Sequence, residues 1–378
     1  MKRVLKAMIH VLIIGLTDTL GGVEKYIKNL VMSADKNEFM FDFLIKSENA
    51  PVFEREISSF YENKCKYFHI TKISNNPISW LVEMRDFFKR NAYDVIYINT
   101  CSASDILYSC IFNHEAKVII HSHYCGIHYE LKNQPFKKLA TWKSDLLLAC
   151  SEKAGNWMFT DDKKYTIIKN GIATLKYKFS EKKRKEYREK YHIGLDELVI
   201  GNVGRLEYPK NQIFLVGLLA ELIKNNKKND VYKNIKLILV GDGQDRESIA
   251  LYANKLGVSD NLIFAGLLEE TSEIYNAFDI FIMPSFHEGL PMAGIEAQCN
   301  GLPCIFSDGI DRQILITDIA EMHSLDDGYD EWVRAVFLVS RKEIDRACYA
   351  NQLQIKGYDY KSSAIKVLDC IKDLSAIG

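Results

Sequence analysis

The sequence predicts an α/β protein made of two facing Rossmann-like domains, each a doubly wound parallel sheet, with a cleft between them. Three observations carry this. Short apolar runs of strand length alternate strictly with helical patterns, the order expected of parallel strands joined by crossover helices. The same alternation restarts in the second half of the chain. Finally, 378 residues exceed one typical core but suit two of about 150 to 200 residues each.

Taken in order, strands are expected at Val11–Gly15, Phe39–Lys46, Lys66–Ile70, Val95–Asn99, Val118–His121, Leu146–Cys150 and Tyr165–Ile168. Helices are expected between them, as at Glu24–Ser33, Trp80–Arg90 and Ser104–Phe112. In the second half the strands are Leu198–Val203, Ile235–Val240, Leu262–Ala265, Asp279–Met283 and Pro303–Phe306, with helices at Asn211–Lys224, Arg246–Leu256 and Glu270–Asn276. The first domain is therefore placed at 1–175 and the second at 176–357, with Ala173 to Glu197 as the join. Within the join, Lys182-Lys183-Arg184-Lys185 reads as a solvated helix face. A closing amphipathic helix in 358–378 carries Ile365, Leu368, Ile371 and Leu374.

Composition excludes several classes. An apolar content of 47% with 26% charge is that of a globular protein, and a net charge of -1 argues against nucleic acid as the main partner. Nine cysteines without a C-x-x-C pair give neither a zinc site nor a disulfide framework, and point to a reducing cytoplasm. The early apolar run Met8 to Leu16 is broken by His10 and lacks a cleavage pattern, so it reads as the first strand rather than as a signal or a membrane span.

The most informative stretch is DIFIMPSFHEGLPMAGIEAQCNGLPCIFS, Asp279 to Ser307. An apolar strand stops at Pro284, a polar loop passes through His287, Glu288 and Gly289, and a helix follows with Pro291 at its expected first position. Ligands of parallel sheets sit beyond the carboxyl ends of the strands, where the amides of Gly289, Leu290 and the helix start would face an anion such as phosphate. Glu288 and Glu296 flank that seat, separated along a helix axis by on the order of 8 Å or more. Two carboxylates so placed can hold two hydroxyl-bearing groups, one on either side of a phosphate.

Four other clusters fall at expected strand ends. Gly21-Gly22-Val23-Glu24 opens the first helix with two residues that lack a Cβ, so backbone can approach a ligand there. His121-Ser122-His123 ends a strand, and His123 lies just past it. In VGRLEYPKN, Arg205 offers a planar fork and Lys210 a compact charge, both suited to phosphate oxygens. Leu239-Val240-Gly241-Asp242-Gly243 is a strand with a glycine turn. Arg246 replaces the third glycine of a dinucleotide fingerprint, which disfavours NAD. No third ligand accompanies the histidines and no Asp-x-Asp follows an apolar strand, so no metal site is expected.

The pattern F-H-E-G-L-P-x-x-x-x-E-A-x-x-x-G-x-P, from Phe286 to Pro303, together with these clusters, resembles the retaining nucleotide-sugar glycosyltransferases of family 4, or group 1. The likeness runs from Gly21 to about Asp308. It implies the GT-B fold, with the last helix crossing back onto the first domain. It also implies a nucleoside diphosphate sugar donor, most simply a UDP-sugar, and a glycan or lipid-linked oligosaccharide acceptor, as in bacterial surface polysaccharide synthesis. No cofactor and no metal are expected. Under this resemblance Glu288 holds donor sugar hydroxyls, Glu296 the ribose, and Arg205 and Lys210 the diphosphate. The helix start after Leu290 and Pro291 takes the β-phosphate. His123 touches the donor sugar, Gly22 lies against the diphosphate, and Gly241 with Phe264 walls the base. Acceptor specificity is expected in Asn99 to Ala103 and Tyr124 to Lys138. Residues 1–175 hold 23 Lys and Arg against 19 Asp and Glu, which is compatible with contact at the inner membrane face. Two alternatives stay open: a non-catalytic glycan- or nucleotide-binding partner in a polysaccharide assembly complex, and a different nucleotide-sugar enzyme on the same fold.

Overall fold

A computed structural model of the chain describes residues 8–376 apart from 114, 124–129, 230 and 289. It divides into two compact units: unit 1 is Met1–Gly171 with Asp359–Gly378, and unit 2 is Ile172–Tyr358. In unit 1 the elements are β1 (Ile9–Ile14), α1 (Gly22–Ser33), β2 (Phe39–Ile45), α2 (Glu54–Phe60), β3 (Tyr67–His69), α3 (Pro77–Arg90), β4 (Val95–Thr100), α4 (Leu107–Cys110), β5 (Lys117–Ser122), α5 (Glu130–Lys143), β6 (Leu146–Ala149), α6 (Glu152–Met158) and β7 (Thr166–Ile167). Unit 2 holds α7 (Thr174–Tyr177), α8 (Glu181–Lys190), β8 (Glu197–Val203), α9 (Gln212–Asn229), β9 (Asn234–Val240), α10 (Arg246–Leu256), β10 (Leu262–Gly266), β11 (Ile280–Met283), α11 (Met292–Cys299), β12 (Cys304–Ser307), β13 (Ala320–His323), α12 (Gly328–Val339) and α13 (Tyr349–Ile355). The chain then re-enters unit 1 as α14 (Tyr360–Ser375).

Both sheets are parallel. Their orders are β3-β2-β1-β4-β5-β6-β7 and β10-β9-β8-β11-β12-β13. Central strands are apolar on both faces because helices cover both: β4 is buried at every residue, and β1 exposes only His10. On one face of the first sheet, Ile27, Leu30 and Val31 of α1 meet Phe39, Phe41 and Phe43, and Val367, Leu368 and Ile371 of α14 join the same cluster. On the other, Trp80, Met84 and Phe87 of α3 pack near Ile96 and Ile98. Each fully buried side chain of this kind contributes about 1.5 to 3 kcal/mol. Asn76 caps α3 by accepting from the Ser79 amide, and Asp359 caps α14 by accepting from Lys361.

Several expectations change. Glu270–Asn276 is not a helix; only a 3₁₀ turn forms, at Ile274–Ala277. The carbonyls at its end are taken by arginines instead of a following helical turn. Arg184 donates to Asn276 and Phe278, Arg188 to Ala277, and Arg346 to Tyr275 and Phe278. This overturns the solvated reading of the Lys182–Lys185 run at Arg184, which also bonds Asp279 at 2.5 Å, while Arg188 bonds the other oxygen at 2.6 Å. Arg188 is buried, so deleting Asp279 would strand its charge at a cost of about 3 to 5 kcal/mol. Ser104–Phe112 splits into a 3₁₀ turn, Ala103–Ile106, and the single-turn α4. The stretch expected as a join folds as α7 and α8 within unit 2. Pro291 is the N-cap of α11 rather than its first residue. β13, α12 and α13 were not anticipated.

Candidate functional site

Strand order in unit 2 reverses between β8 and β11, so the loops following those two strands open next to each other at the carboxyl edge. Side chains and backbone stitch these loops together. Asn202 donates to the Ile282 carbonyl at 2.8 Å, and the buried Gln212 donates to the Arg205 carbonyl at 2.9 Å. Asn211 adopts a left-handed φ of 54° and donates to the Pro284 carbonyl at 3.1 Å. The Phe286 amide donates to Pro209 at 2.9 Å, and the Tyr208 ring stacks on Phe286 with centroids 5.0 Å apart.

The stitching delivers Lys210 to Glu288. Their side chains form an ion pair at the loop junction, with 21% and 18% of each exposed. Glu288 is itself held in extended backbone, donating to Gly309 and accepting from Asp311. Arg205 is set differently: its side chain is 77% exposed and pairs with Glu207 at 3.0 Å. The site thus presents two paired cations, one half-buried at the loop junction and one exposed to solvent.

Leu290 and Pro291 follow directly. Gly289, expected among the anion-facing residues, lies outside the described residues. Pro291 accepts from the Gly294 and Ile295 amides, which leaves the Met292 and Ala293 amides as the donors the helix itself cannot satisfy. Glu296 is on the first turns of α11 but is buried, and Tyr275 donates to it at 2.7 Å. Burial and the Glu296 charge push the Tyr275 hydroxyl well above the usual phenol range, and the neighbouring Tyr177 is raised by burial and the same carboxylate. Tyr275 and Tyr177 therefore stay protonated beside the Glu296 carboxyl group. Nothing in the spacing of Tyr275 or Tyr177 announces them as its neighbours.

Gly241 has a φ of +127°, and a Cβ there would stand 2.0 Å from the Gly204 carbonyl oxygen. Its bareness lets the end of β9 pass against the residue preceding Arg205. Phe264, on β10, is covered by the Arg246 guanidinium at 4.9 Å from its centroid. Arg246, noted only as a missing glycine, is thus a further residue of this edge.

In unit 1 the order reverses between β1 and β4. Gly22 is the first residue of α1, whose cap Gly21 offers no side chain. A Cβ at Gly22 would meet no atom within 4 Å, so the fold itself does not demand glycine there. His123 lies immediately past β5, and its Nε2 donates to Asn99 Oδ1 at 3.0 Å, with no hydrogen bond to Nδ1 among the described residues. Its ring sits 4.1 Å from that of His121 and 4.8 Å from that of Tyr26. Burial lowers the His123 pKa to about 4 and that of His121 well below its ordinary value, so both rings are neutral at pH 7. Part of the expected acceptor loop, residues 124–129, lies outside the described residues. Among the described residues no three ligating side chains cluster as a metal site would require.

Two parallel-sheet units with ligand-facing loops at their carboxyl edges define the GT-B architecture, and the comparisons agree. Residues 183–313 match the family described as glycosyl transferases group 1. The chain is 29% identical over 307 residues to a Bacillus subtilis protein named as the glycosyltransferase EpsF, covering 78% of each. It is 22% identical over 355 residues to the Escherichia coli UDP-Gal:alpha-D-GlcNAc-diphosphoundecaprenol alpha-1,3-galactosyltransferase, covering 88% of this chain and 87% of that one. Among solved structures, Anabaena HepE in complex with UDP superposes with a TM-score of 0.78 at 16% identity, covering 96% of this chain and all of that one. Sucrose-phosphate synthase from Thermosynechococcus elongatus gives 0.76 at 15% identity, covering 98% of this chain and 100% of that one. The chain is a transferase enzyme, a glycosyltransferase. The segment that matches the group 1 family lies in its second unit and includes Arg205, Lys210, Glu288 and Glu296.

Proposed function

We propose that this enzyme moves a hexose or N-acetylhexosamine from a UDP-sugar to a hydroxyl of a glycan or lipid-linked glycan acceptor. It does so with retention of anomeric configuration and without a metal, in bacterial surface polysaccharide synthesis. The observation that carries the reading is the Lys210–Glu288 pair where the unit 2 strand order reverses, with the exposed Arg205 on the same loop as Lys210. A diphosphate entering there meets the Arg205 fork and the Met292 and Ala293 amides, and draws Lys210 away from Glu288. The freed Glu288 carboxylate then accepts from sugar hydroxyls. Negative charge growing on the departing diphosphate is stabilised by cations already in place, the role a metal has in other transferases.

Glu296, held by Tyr275, takes the ribose hydroxyls, and Gly241 with Phe264 borders the base. Gly22 admits ligand backbone-close at the start of α1, and the neutral His123 offers Nδ1 to a sugar hydroxyl. UDP in the HepE complex and the UDP-Gal donor named for the Escherichia coli relative support the choice of nucleotide. That relative's diphosphoundecaprenol acceptor supports a lipid-linked substrate. Working at the inner face of the cell membrane is also supported by α3. Its outward residues Ile78, Leu81 and Val82 are exposed at helical spacing, continued by Arg85 and Lys89. A thermal-shift panel of nucleoside diphosphate sugars tests the donor, with a UDP-sugar expected to give the largest shift. A panel in which no nucleotide raises the Tm defeats the proposal.

A further inference from the structure

At the carboxyl edge of the unit 1 sheet, beyond β1, β2 and β3, lies a cavity of 490 Å³ that none of the residues assigned above lines. Its walls are built. Lys46, the first residue past β2, bonds both oxygens of Asp105 at 2.8 Å, and the Thr100 hydroxyl donates to the same carboxylate at 2.5 Å. Thr71, past β3, gives its amide and its hydroxyl to the two oxygens of Glu83, each at 2.8 Å. Asn49 donates to Asp18 at 2.7 Å. His69 donates from Nδ1 to the Ser47 carbonyl at 2.7 Å, which fixes the ring and leaves Nε2 on its other side.

Among the described residues, Glu48, Lys72 and Nε2 of His69 take no partner from these contacts. The lining sets Lys46 and Lys72 against Asp18, Glu48 and Glu83, so a phosphate finds no net attraction there. Donors and acceptors are instead interleaved, which suits a ligand whose every polar group both donates and accepts. Sugar hydroxyls have that property. The volume falls within the roughly 300 to 1,000 Å³ of small-ligand sites, and the position obeys the rule that parallel sheets bind beyond their strand ends.

We propose that this cavity receives a neutral glycosyl residue of the acceptor, with Glu48, Lys72 and His69 contacting its hydroxyls and deciding which sugar is accepted. The inference rests on the proposed glycan acceptor, and it moves specificity from the loops expected at Asn99 to Ala103 and Tyr124 to Lys138 onto 46–49 and 69–75.

The test is saturation-transfer NMR on the full chain with the methyl α-glycosides of glucose, galactose and N-acetylglucosamine as probes. The chains compared are the parent, Ser47→Trp, which fills the cavity, and Glu48→Ala with Lys72→Ala, which strips two exposed groups and spares the fold. Thermal melts and UDP calorimetry accompany each. At least one glycoside is expected to bind the parent and to bind both variants about tenfold more weakly, the effect of losing one or two hydrogen bonds. If no glycoside binds, or binding survives both variants, the proposal is overturned. Failure of the parent to bind UDP would instead sink the donor assignment, and the glycoside result would still stand or fall on its own. Should Ser47→Trp not fold, the double variant decides.

Discussion

Lys210 and Glu288, 78 residues apart in sequence, close an ion pair where the loops after β8 and β11 are sewn together. Under the proposed function the pair ties the cation for the phosphate to the carboxylate for the sugar, so donor binding would exchange one set of partners for another. Lys210→Ala and Arg205→Ala are each expected to lower kcat by on the order of 10² to 10³, since each removes charge stabilisation of the leaving diphosphate. Steady-state rates with a UDP-sugar check this, and turnover near the parent rate in the double variant refutes the phosphate assignment.

Glu296 makes a separable prediction. Parent protein should prefer UDP to 2′-deoxy-UDP by about tenfold, the value of one hydrogen bond to a charged acceptor. Glu296→Gln should erase that preference. Calorimetry with the two nucleotides reads the difference directly, and an undiminished preference in the variant removes Glu296 from the ribose.

The fixed cations also predict that activity survives chelation. Initial rates in excess EDTA should match those without it. Abolition by EDTA with recovery on adding manganese would contradict the metal-free mechanism.

The buried imidazoles set an acid limit. His123, lowered by burial to about 4, faces Asn99, Asn170, Tyr26 and His121, with no carboxylate among them. Unfolded, it takes a proton near pH 6.5; folded, only near 4. The unfolded state therefore binds more protons throughout that window, and stability present above pH 6.5 is lost as pH falls, by about 1.4 kcal/mol per unit for each such group. Urea titrations from pH 7 to 4.5 should show the loss, with a shallower slope in His123→Gln.

The α3 face predicts sedimentation with vesicles rich in phosphatidylglycerol and not with pure phosphatidylcholine. Ile78→Glu with Val82→Glu should release the protein. Arg85→Glu with Lys89→Glu should weaken it by about 1 kcal/mol per charge. Equal sedimentation of all these chains would rule the face out.

How far the chain could be read from its residues depends on the range of the interactions involved. Strands such as Val95–Thr100 and Asn234–Val240 are nearly continuous apolar runs because helices cover both faces, and that pattern is local. The turn at Ile274–Ala277 could not be read. Its composition permits a helix, and what stops it is a set of arginines, one of them Arg346, lying about 70 residues further on. The same holds at the site. The motif marks Glu288 and Glu296, yet the Tyr275 hydroxyl on Glu296 and the Gln212 brace under Arg205 depend on packing that no spacing encodes. Arg184 was misjudged because a run of like charges looks solvated unless the inward turn of one member is known.

The return of α14 to the α1 face has a consequence for biosynthesis. A ribosome makes unit 2 as one uninterrupted stretch, able to collapse as it emerges, whereas the sheet begun at Ile9 must wait for Val367, Leu368 and Ile371 before its last apolar surface is sheathed. A premature stop or a proteolytic nick near Asp359 would therefore leave a sound second unit tethered to an unfinished first one, with Ile27, Leu30 and Val31 open to sticking.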